Sequence, residues 1–332
     1  MRELELIKHI ISRQSGQHPD LSCGIGDDCA VFNANLGEEL LVTTDMLVEN
    51  VHFDPSWHPP YLLGRKAISV NISDIAAMAG SPRFALLSIG MNHRFNNAWV
   101  KDFMDGVFSQ LNFFGCTLIG GDTVKSDKLV FSVTIIGAAP KGNAIRRDGA
   151  RSGDRVFVSG PLGSAAAGLQ LFLDRDISIN DYSSSLWPTL VRKHLDPTPR
   201  VRLAKLLGKN GSVTSMQDIS DGIATDLSHI CTAGRVKATL YSNRLPADKE
   251  LYEMCREKGM DAVQLQLCGG EDYELVFTVK KEAVEKLRTE FRDQHRFQLY
   301  EIGVIEEGEG VYLQREVGEP QLISYQGYEH SP

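Results

Sequence analysis

The chain has 332 residues, a length that is large for one hydrophobic core and comfortable for two domains. Its formal net charge is -8 and it has no dense run of lysine or arginine, which argues against a nucleic-acid partner. Six cysteines occur without a C-x-x-C spacing, so neither a zinc cage nor a redox pair is predicted. No apolar run approaches membrane-spanning length, and the opening MRELELIKHI lacks the apolar segment of a signal peptide. We therefore expect no membrane association and a cytoplasmic location.

The first half of the chain alternates helix and strand patterns. Apolar residues recur at helical spacing over residues 4–11, and Ser15-Gly16 ends that helix. A strand, a turn around Gly37 and a second strand follow, and the second strand is predicted to end at Asp45. Next come a helix at about 61–79, a strand at 83–91, a helix at 97–114, and strands at 117–121 and 128–139.

A polar, glycine-rich and basic stretch at residues 140–153 predicts a linker between an N-terminal domain (1–139) and a C-terminal domain (154–332). Each domain mixes strands with helices, so we expect α/β or α+β layering in both. An internal echo, ISDIAAMAG at 72–80 and ISDGIATDL at 219–227, predicts similar turns in the two halves. In the second domain the patterns predict a strand at 154–160, helices at 163–173 and 219–230, strands at 237–242 and 273–279, a helix at 280–291 and a strand at 297–305.

The segment GIGDDCAVF, at residues 24–32, places two adjacent carboxylates, Asp27 and Asp28, behind a Gly-x-Gly turn. A dinucleotide-binding fingerprint would need a third glycine and a preceding apolar strand, and the sequence has neither. Two neighbouring negative charges in a tight turn repel each other unless a cation or strong donors lie near them. Taken alone, such a pair is more often a solvated acidic turn.

Asp27 and Asp28 belong to a larger set of acids that lie at predicted turns or strand ends, or in an apolar helix, mostly beside Gly, Ser or Thr. For any one of them a helix cap or a turn residue is the simpler interpretation. Several converging carboxylates without His or Cys instead favour Mg²⁺, and the hydroxyls of Thr43 and Thr44 could add oxygen ligands. The acids are Asp27, Asp28, Asp45, Asp74, Asp122, Asp218, Asp221, Glu271 and Asp272.

Magnesium ions beside carboxylates are typical of phosphate chemistry. The chain lacks G-x-x-x-x-G-K-[ST], and it lacks an H-R-D loop paired with D-F-G, so it fits neither common class of nucleotide enzyme. Arg146 and Arg147 could fork onto a phosphate, or they could be a solvated pair in the linker. The residues alone therefore leave both interpretations open.

Six motifs, taken in order, resemble the thiamine-monophosphate kinase family of the aminoimidazole-ribonucleotide synthetase-like ATP-binding superfamily. They are GIGDDCAV, LLVTTDMLVENVHF, NISDIAAMAG, LIGGDT, QDISDGIATDL and CGGEDYELVFTV. The resemblance implies a two-domain fold whose N-terminal sheets pair across a homodimer. It also implies Mg²⁺-dependent transfer of the γ-phosphoryl group of ATP to thiamine monophosphate, which gives thiamine diphosphate.

The resemblance also implies three groups of site residues. Several magnesium ions are expected at Asp27, Asp28, Thr43, Thr44, Asp45, Asp74, Asp122, Asp218 and Asp221. ATP is expected to contact Gly121, Asp122, Arg146 and Ser220. Thiamine monophosphate is expected to contact His52, Glu271 and Tyr328. At Phe114 many relatives are expected to have Tyr, so this chain would keep a stacking role there without the hydroxyl.

No side chain is assigned as a catalytic acid, base or nucleophile. The acceptor phosphate is substantially ionised near neutral pH, so His52 is expected to orient the substrate and not to remove a proton. Positioning and charge neutralisation would carry a direct in-line transfer.

The sequence leaves two alternatives open. The chain could be another ATP-dependent enzyme of the superfamily, similar to aminoimidazole-ribonucleotide synthetase. It could also be a nucleotide-binding regulator without turnover, although a pure binder needs fewer metal ligands than this acidic set provides.

Overall fold

The computed structural model describes residues 35–175 and 185–327, together with the backbone of two short strands at 21–23 and 31–32. The predicted helix at residues 4–11 lies outside the described residues. The chain divides into two compact units, of which the second comprises Ala76–Ala79 and the chain from Asn143 onwards. The linker predicted at residues 140–153 and the two domain limits stay predictions.

The first unit contains a four-stranded sheet in the order β3-β6-β4-β5, in which β4 and β5 are parallel and the other pairs are antiparallel. A separate antiparallel pair joins β1 and β2. Its elements are β1 (Leu21–Cys23), β2 (Val31–Phe32), β3 (Glu38–Val48), α1 (Pro60–Ala77), β4 (Ser81–Met91), α2 (Asn97–Phe114), β5 (Thr117–Lys125) and β6 (Val130–Pro140).

The helices α1 and α2 pack closely because glycines lie where they meet. A Cβ built on Gly64 or on Gly106 would come closer than 3.0 Å to the backbone of the other helix. Helix α2 also packs on the sheet, since the Phe103 ring stacks on Phe131 of β6 with the ring centroids 4.3 Å apart. At its end Gly115 adopts the left-handed conformation, which is the usual way to finish a helix.

The two faces of the first sheet differ in burial, and β3 shows the difference best. Side chains alternate between the faces of a strand. Leu41 and Leu47 point to one face and are buried, whereas Leu40, Val42 and Met46 point to the other face and are exposed. One face of this sheet is therefore covered, and the other presents apolar side chains along an edge strand.

The second unit contains a seven-stranded sheet in the order β13-β12-β9-β11-β7-β10-β8, antiparallel except between β9 and β12. The elements of this unit are β7 (Arg155–Val158), α3 (Ser164–Leu173), α4 (Pro188–Leu195), α5 (Val201–Asn210), β8 (Val213–Asp218), α6 (Ile223–Gly234), β9 (Lys237–Tyr241), α7 (Lys249–Lys258), α8 (Ala262–Cys268), β10 (Leu275–Val279), α9 (Val284–Asp293), β11 (Tyr300–Glu306), β12 (Gly310–Gln314) and β13 (Gln321–Leu322).

A buried ionic cluster joins β7, β10 and the segments around α4 in the second unit. Glu274 is fully buried and accepts hydrogen bonds from Arg200, from Lys193 at 3.0 Å and from the Ser159 hydroxyl at 2.6 Å. Burial alone would raise the pKa of Glu274, but the charges of Arg200 and Lys193 outweigh it and lower that pKa to about 2. The carboxylate therefore stays ionised inside the protein.

Most predicted elements exist, and the differences have local causes. The helix predicted at 97–114 spans Asn97–Phe114, whereas the one predicted at 61–79 ends at Ala77. The helix predicted from residue 219 begins at Ile223, because the preceding residues pair with another loop. Among the described residues, no helix is both long and apolar enough to cross a membrane.

Two predictions about strands were wrong. Asp45 does not end its strand, since β3 continues for three more residues to Val48. Asp122 does not lie in a glycine-rich turn, since β5 passes through Gly120-Gly121 and continues to Lys125. In both strands the ladder of backbone hydrogen bonds to a neighbour outweighs the local preference for a turn.

The Glu274 cluster generates a stability prediction. The pKa of Glu274 in the folded protein is about 2, below the ordinary value of 4.5. The ionised carboxylate therefore stabilises the fold above pH 4.5, and this stabilisation is lost as the pH falls towards 2. Glu274→Gln leaves two cations without their buried counter-charge and should lower the free energy of unfolding at pH 7 by about 3 kcal/mol.

Urea unfolding of both proteins at pH 7 and pH 3 measures this effect. The difference in free energy of unfolding between wild type and Glu274→Gln should be smaller at pH 3 than at pH 7. The exposed control Glu282→Gln should stay within about 0.5 kcal/mol of wild type at both pH values. A gap that is equally wide at the two pH values would contradict the ionic explanation.

Candidate functional site

The predicted site residues fall into three groups. One group lies in the first unit and another in the second. Asp27, Asp28 and Tyr328 lie outside the described residues, so their predicted roles have no structural counterpart here.

In the first unit, the structure brings Thr43 and Asp74 together. The Thr43 hydroxyl donates a hydrogen bond of 2.5 Å to Oδ2 of Asp74. Asp74 is in helix α1, as predicted, and Thr43 is on the covered face of β3, so the bond ties the helix to the sheet. By strand alternation Asp45 shares the face of Thr43.

Thr44 points the other way and is separated from Thr43 and Asp45. Its hydroxyl donates to the carbonyl of Val133 at 3.1 Å and accepts from the Thr134 hydroxyl at 3.0 Å. Adjacent residues of a strand face opposite sides of a sheet. The two threonines that are adjacent in the sequence therefore do not add their hydroxyls to one place in this unit.

Asp122 also lies apart from Asp45. The two residues belong to β5 and β3, which are the opposite edges of the first sheet, with β6 and β4 between them. Asp122 is exposed and pairs in register with Ser88 of β4, and its Oδ1 accepts the backbone N–H of Thr123 at 2.8 Å.

Gly121 has a structural reason to be glycine. A Cβ at this position would come closer than 3.0 Å to the carbonyl of Leu87, so any side chain would push β5 away from β4. The close approach of the two strands is what places Asp122 opposite Ser88.

His52 has a fixed ring orientation. Its Nδ1 accepts the backbone N–H of Val48 at 3.0 Å, so the proton of the neutral ring is on Nε2. The residue is half-buried in the turn after β3, where it is held against the end of the strand.

In the second unit, two loops that are about fifty residues apart pair with each other. The N–H of Glu271 donates to the carbonyl of Ser220 at 2.8 Å, and the N–H of Tyr273 donates to Ile219 at 2.9 Å. Asp218, at the end of β8, is opposite Leu275 of β10. This pairing brings Asp218, Ser220 and Asp221 beside Glu271.

Asp226, in helix α6, holds the Ser220-Asp221 loop. Its Oδ2 accepts the backbone N–H groups of Ser220 and Asp221, each at 3.1 Å, and its Oδ1 accepts from Gln217 at 2.8 Å. Burial raises the pKa of Asp226 well above its ordinary value, and the negative charges of Asp218 and Asp221 raise it further. Three carboxylates therefore interact electrostatically here.

The acids of the GGEDYE segment each bind a different part of the second unit. Glu271 lies 3.0 Å from Nδ1 of His194, a residue of helix α4 that is almost completely buried. Asp272 accepts the N–H groups of Gly163 and Ala165 at the start of helix α3, and burial raises its pKa to about 7. Glu271 also has a positive φ of 69°, a strained conformation for a residue with a side chain.

Arg146 and the segment before Tyr328 also lie near these loops. The Arg146 carbonyl accepts the N–H of Met216 in β8, while its exposed guanidinium is 3.0 Å from Asp148. Gly327 donates its N–H to the Thr225 hydroxyl at 2.9 Å, and a Cβ on Gly327 would collide with the carbonyl of Asp221. The chain thus passes Asp221 one residue before Tyr328.

Sequence reasoning missed the residues that hold the predicted ones in place. His194, Arg200 and Lys193 lie in or next to helix α4, which had not been predicted. Asp226 lies within a helix that the sequence predicts, but no role is predicted for it, although it follows QDISDG at the spacing of a side chain that can bind the loop backbone. Lys193 and Arg200 have no local signal that links them to Glu274, because each is about eighty residues from it in the sequence.

The donor set fits magnesium better than a softer metal. Within the described part of each unit the predicted ligands are carboxylate and hydroxyl oxygens. Burial is the main cause of the raised pKa of Asp226, and the charges of Asp218 and Asp221 add to it; a cation would relieve this added repulsion. In residues 35–175 and 185–327 no three His, Cys, Asp or Glu side chains already form a group that could hold a metal ion. The described carboxylates therefore provide the right atoms but not a preformed cage.

Comparison with known families assigns the class of protein. Residues 26–139 match the AIR synthase related protein N-terminal domain, and residues 151–316 match its C-terminal domain. The chain is thus an AIR synthase-like protein with two domains, which confirms the predicted fold class; pairing of sheets across a dimer stays a prediction.

Relatives narrow the class to one family. The chain is 38% identical over 297 residues to a thiamine-monophosphate kinase from Aquifex aeolicus, covering 90% of this chain and 91% of the relative. The crystal structure of thiamine-monophosphate kinase from Stenotrophomonas maltophilia K279a matches with a TM-score of 0.83 and 34% identity, covering 95% of this chain and 97% of that one. AaThiL complexed with AMPPCP and TMP has a TM-score of 0.75, 36% identity and coverage of 88% and 89%. The chain belongs to the thiamine-monophosphate kinase family.

The position of Gly121 generates a prediction that separates packing from ligand binding. Gly121→Ala should lower the free energy of unfolding by about 1–3 kcal/mol, because the new methyl group meets the Leu87 backbone, which cannot move without disturbing the sheet. Gly37→Ala in the same unit is the matched control, since a Cβ there meets no atom within 4 Å. Chemical denaturation without ligands measures both, and equal stability of the two variants would contradict the close packing.

Proposed function

We propose that this protein transfers the γ-phosphoryl group of ATP to thiamine monophosphate and so makes thiamine diphosphate. The observation that carries the proposal is membership of the thiamine-monophosphate kinase family over nearly the whole chain. The complex of AaThiL with AMPPCP and TMP, a relative 36% identical, supports ATP as the donor and thiamine monophosphate as the acceptor.

The first proposed role is metal binding. In the first unit Asp45, Asp74 and Asp122 would hold magnesium ions, with Thr43 fixing the orientation of Asp74 through its 2.5 Å hydrogen bond. In the second unit Asp218 and Asp221 would do so, and Asp226 would hold the loop that presents Asp221. Asp27 and Asp28 complete the proposed set, and Thr44 stays in it as a prediction although its hydroxyl bonds within the sheet. When bound, magnesium neutralises charge on phosphate oxygens.

The second proposed role is contact with ATP. Gly121 and Asp122 in the first unit, and Arg146 and Ser220 in the second, are the proposed contacts. The Arg146 side chain is exposed and ends in a guanidinium, which can donate two parallel hydrogen bonds to a phosphate. Ser220 would be presented by the same Asp226 bond that fixes its N–H.

The third proposed role is recognition of the acceptor by His52, Glu271 and Tyr328. His52 would donate from Nε2, since its Nδ1 is already used by Val48. Glu271 would use its carboxylate on the acceptor, with His194 holding it in place. A direct in-line transfer needs no protein nucleophile. A phosphoenzyme formed from γ-labelled ATP without acceptor would exclude this mechanism.

We also propose a homodimer and a cytoplasmic location. The open face of the first sheet carries Leu40, Val42 and Met46 on an edge strand, and a second copy of the chain is the proposed cover for them. Sedimentation equilibrium measures the assembly, and a monomeric mass at micromolar concentration would exclude the dimer. Fractionation of cells would test the location.

The experiment that tests the function is ADP release with saturating Mg²⁺ and ATP, with and without thiamine monophosphate. The wild type should release ADP only with the acceptor. Asp45→Asn and Asp122→Asn should each lower kcat by a factor of about 100 or more, because a lost ligand weakens charge neutralisation at the phosphates. The exposed control Asp102→Asn, on helix α2, should leave turnover unchanged.

Two outcomes would contradict this assignment. Absence of acceptor-dependent ADP release from the wild type would favour a regulator or another enzyme of the superfamily. Folded Asp45→Asn and Asp122→Asn variants with near-normal turnover would exclude these residues from the metal set.

The contact between His194 and Glu271 generates a second prediction for this site. Glu271→Gln should raise the apparent KM for thiamine monophosphate about tenfold and change that for ATP little, because it removes a charge from the proposed acceptor side only. His194→Gln should act in the same direction, and the double variant should add little to either single one, since the two side chains act as a unit.

Steady-state kinetics with each substrate varied in turn checks this prediction. His93→Gln, an exposed histidine of the first unit, is the control and should leave both KM values unchanged. Equal increases in KM for the two substrates would place Glu271 elsewhere.

A further inference from the structure

An open cleft of about 730 Å³ lies in the second unit, and no residue of the paired loops lines it. Its walls come from the 3-10 helix Ser242–Arg244, the C-terminal part of α9, and the segment that leads into β11. This volume is within the range of small-molecule sites. None of the six sequence motifs contributes a residue to its lining.

The lining is strongly basic in a chain whose net charge is -8. Among the nine residues that line the cleft, arginine is the commonest type, and the single acid leaves an excess of three positive charges. The charged members are Arg244, Arg288, Arg292, Arg296 and Glu301. Like charges on neighbouring side chains repel, so such a group is stable only with counter-charges.

Glu301 supplies part of that counter-charge and orders the inner arginines. Its Oε2 is 2.6 Å from Arg288, and its Oε1 is 3.6 Å from Arg244. Arg155 of β7 is also within 3.9 Å of Glu301. Aromatic rings support the same two arginines, because Arg244 lies over Tyr241 and Arg288 over Phe157. Glu301 thus contacts three arginines and neutralises only one of their charges, while the exposed Glu285 lies 4.0 Å from Arg288.

The outer arginines are exposed at the rim of the cleft. Within residues 35–175 and 185–327, the ion pair found for Arg292 is with its neighbour Asp293, and the Arg292 side chain is 73% exposed. Arg296 is exposed and has a positive φ of 58°, and no ion pair found among the described residues includes it. The rim therefore provides guanidinium groups whose donors can turn towards a ligand.

We propose that this cleft is a second anion site, which binds the diphosphate group of a small molecule. Planar guanidinium groups from separate segments match the oxygens of two linked phosphates better than they match a single monovalent anion. The inner pair is held in advance by Glu301, so less side-chain freedom is lost when the ligand binds. This site needs no metal ion, in contrast to the proposed phosphotransfer site.

Isothermal titration of the full-length protein with inorganic diphosphate in EDTA tests the proposal, since the chelator prevents metal-dependent phosphate binding. The wild type should bind about one equivalent, and added salt should weaken the binding. Arg292→Gln combined with Arg296→Gln should raise Kd at least about tenfold. Arg256→Gln, an exposed arginine of helix α7 outside the cleft, removes one charge elsewhere and should leave Kd unchanged.

A parallel titration with ADP identifies the source of the diphosphate group: tighter binding of ADP assigns the site to a nucleotide, and equal binding assigns it to the free anion. Both results support a diphosphate site. Absence of diphosphate binding in EDTA, or an equal Kd in the double variant and in Arg256→Gln, would overturn the proposal. Thermal unfolding of each variant checks the fold, and the two single variants replace the double one if it is unstable.

Discussion

The pairing of β8 with β10 continues beyond the ends of the two strands, and the arrangement of the second unit depends on it. After Asp218 the backbone of the 219–221 loop exchanges hydrogen bonds with the loop that contains Glu271 and Tyr273. The backbone carries this pairing, so the pairing does not depend on the identity of the acidic side chains in the two loops. The proposed magnesium residues and the proposed acceptor residue thus meet through main-chain geometry.

In this region, acids that are close neighbours in the sequence have very different pKa values. Burial raises the pKa of Asp272 to about 7, whereas Arg200 and Lys193 more than offset burial at Glu274 and lower its pKa to about 2. Asp272 binds helix N–H groups and Glu274 binds two cations. The three acids of the segment GGEDYE therefore make three different contacts. Of these three, Glu271 is the partly exposed one, at a position where a ligand could reach it.

In the first unit the controlling constraint is the alternation of side chains along β3. Thr43 bonds to Asp74 of helix α1, while Thr44 bonds within the open face of the sheet. A motif that reads as a compact ligand set, TTD, is thereby divided between two environments. The same alternation exposes Val42 and Met46, so one strand serves both the proposed metal site and the proposed dimer surface.

The sequence by itself determined the family, the α/β character of both halves and the identity of most proposed site residues. Helix α2 could be predicted to the residue, because its apolar period, its Asn96 cap and Gly115 are all local signals. The echo between ISDIAAMAG and ISDGIATDL misled, since the first segment is helical around Asp74 and the second is a loop around Asp221. The two segments differ at their fourth residue, which is Gly222 in the second and Ile75 in the first. Gly222 has a φ of 108°, a conformation that a β-branched residue such as isoleucine rarely adopts.

Only the tertiary structure could show that His194 meets Glu271, that Asp226 holds the Ser220 loop and that arginines far apart in the chain share a cleft. The first and last of these contacts join residues that are far apart in the chain, as His194 is from Glu271 and Arg244 from Arg288, so they leave no local signal in the sequence. Asp226 is only six residues from Ser220, and there a local spacing is present but does not by itself show the bond.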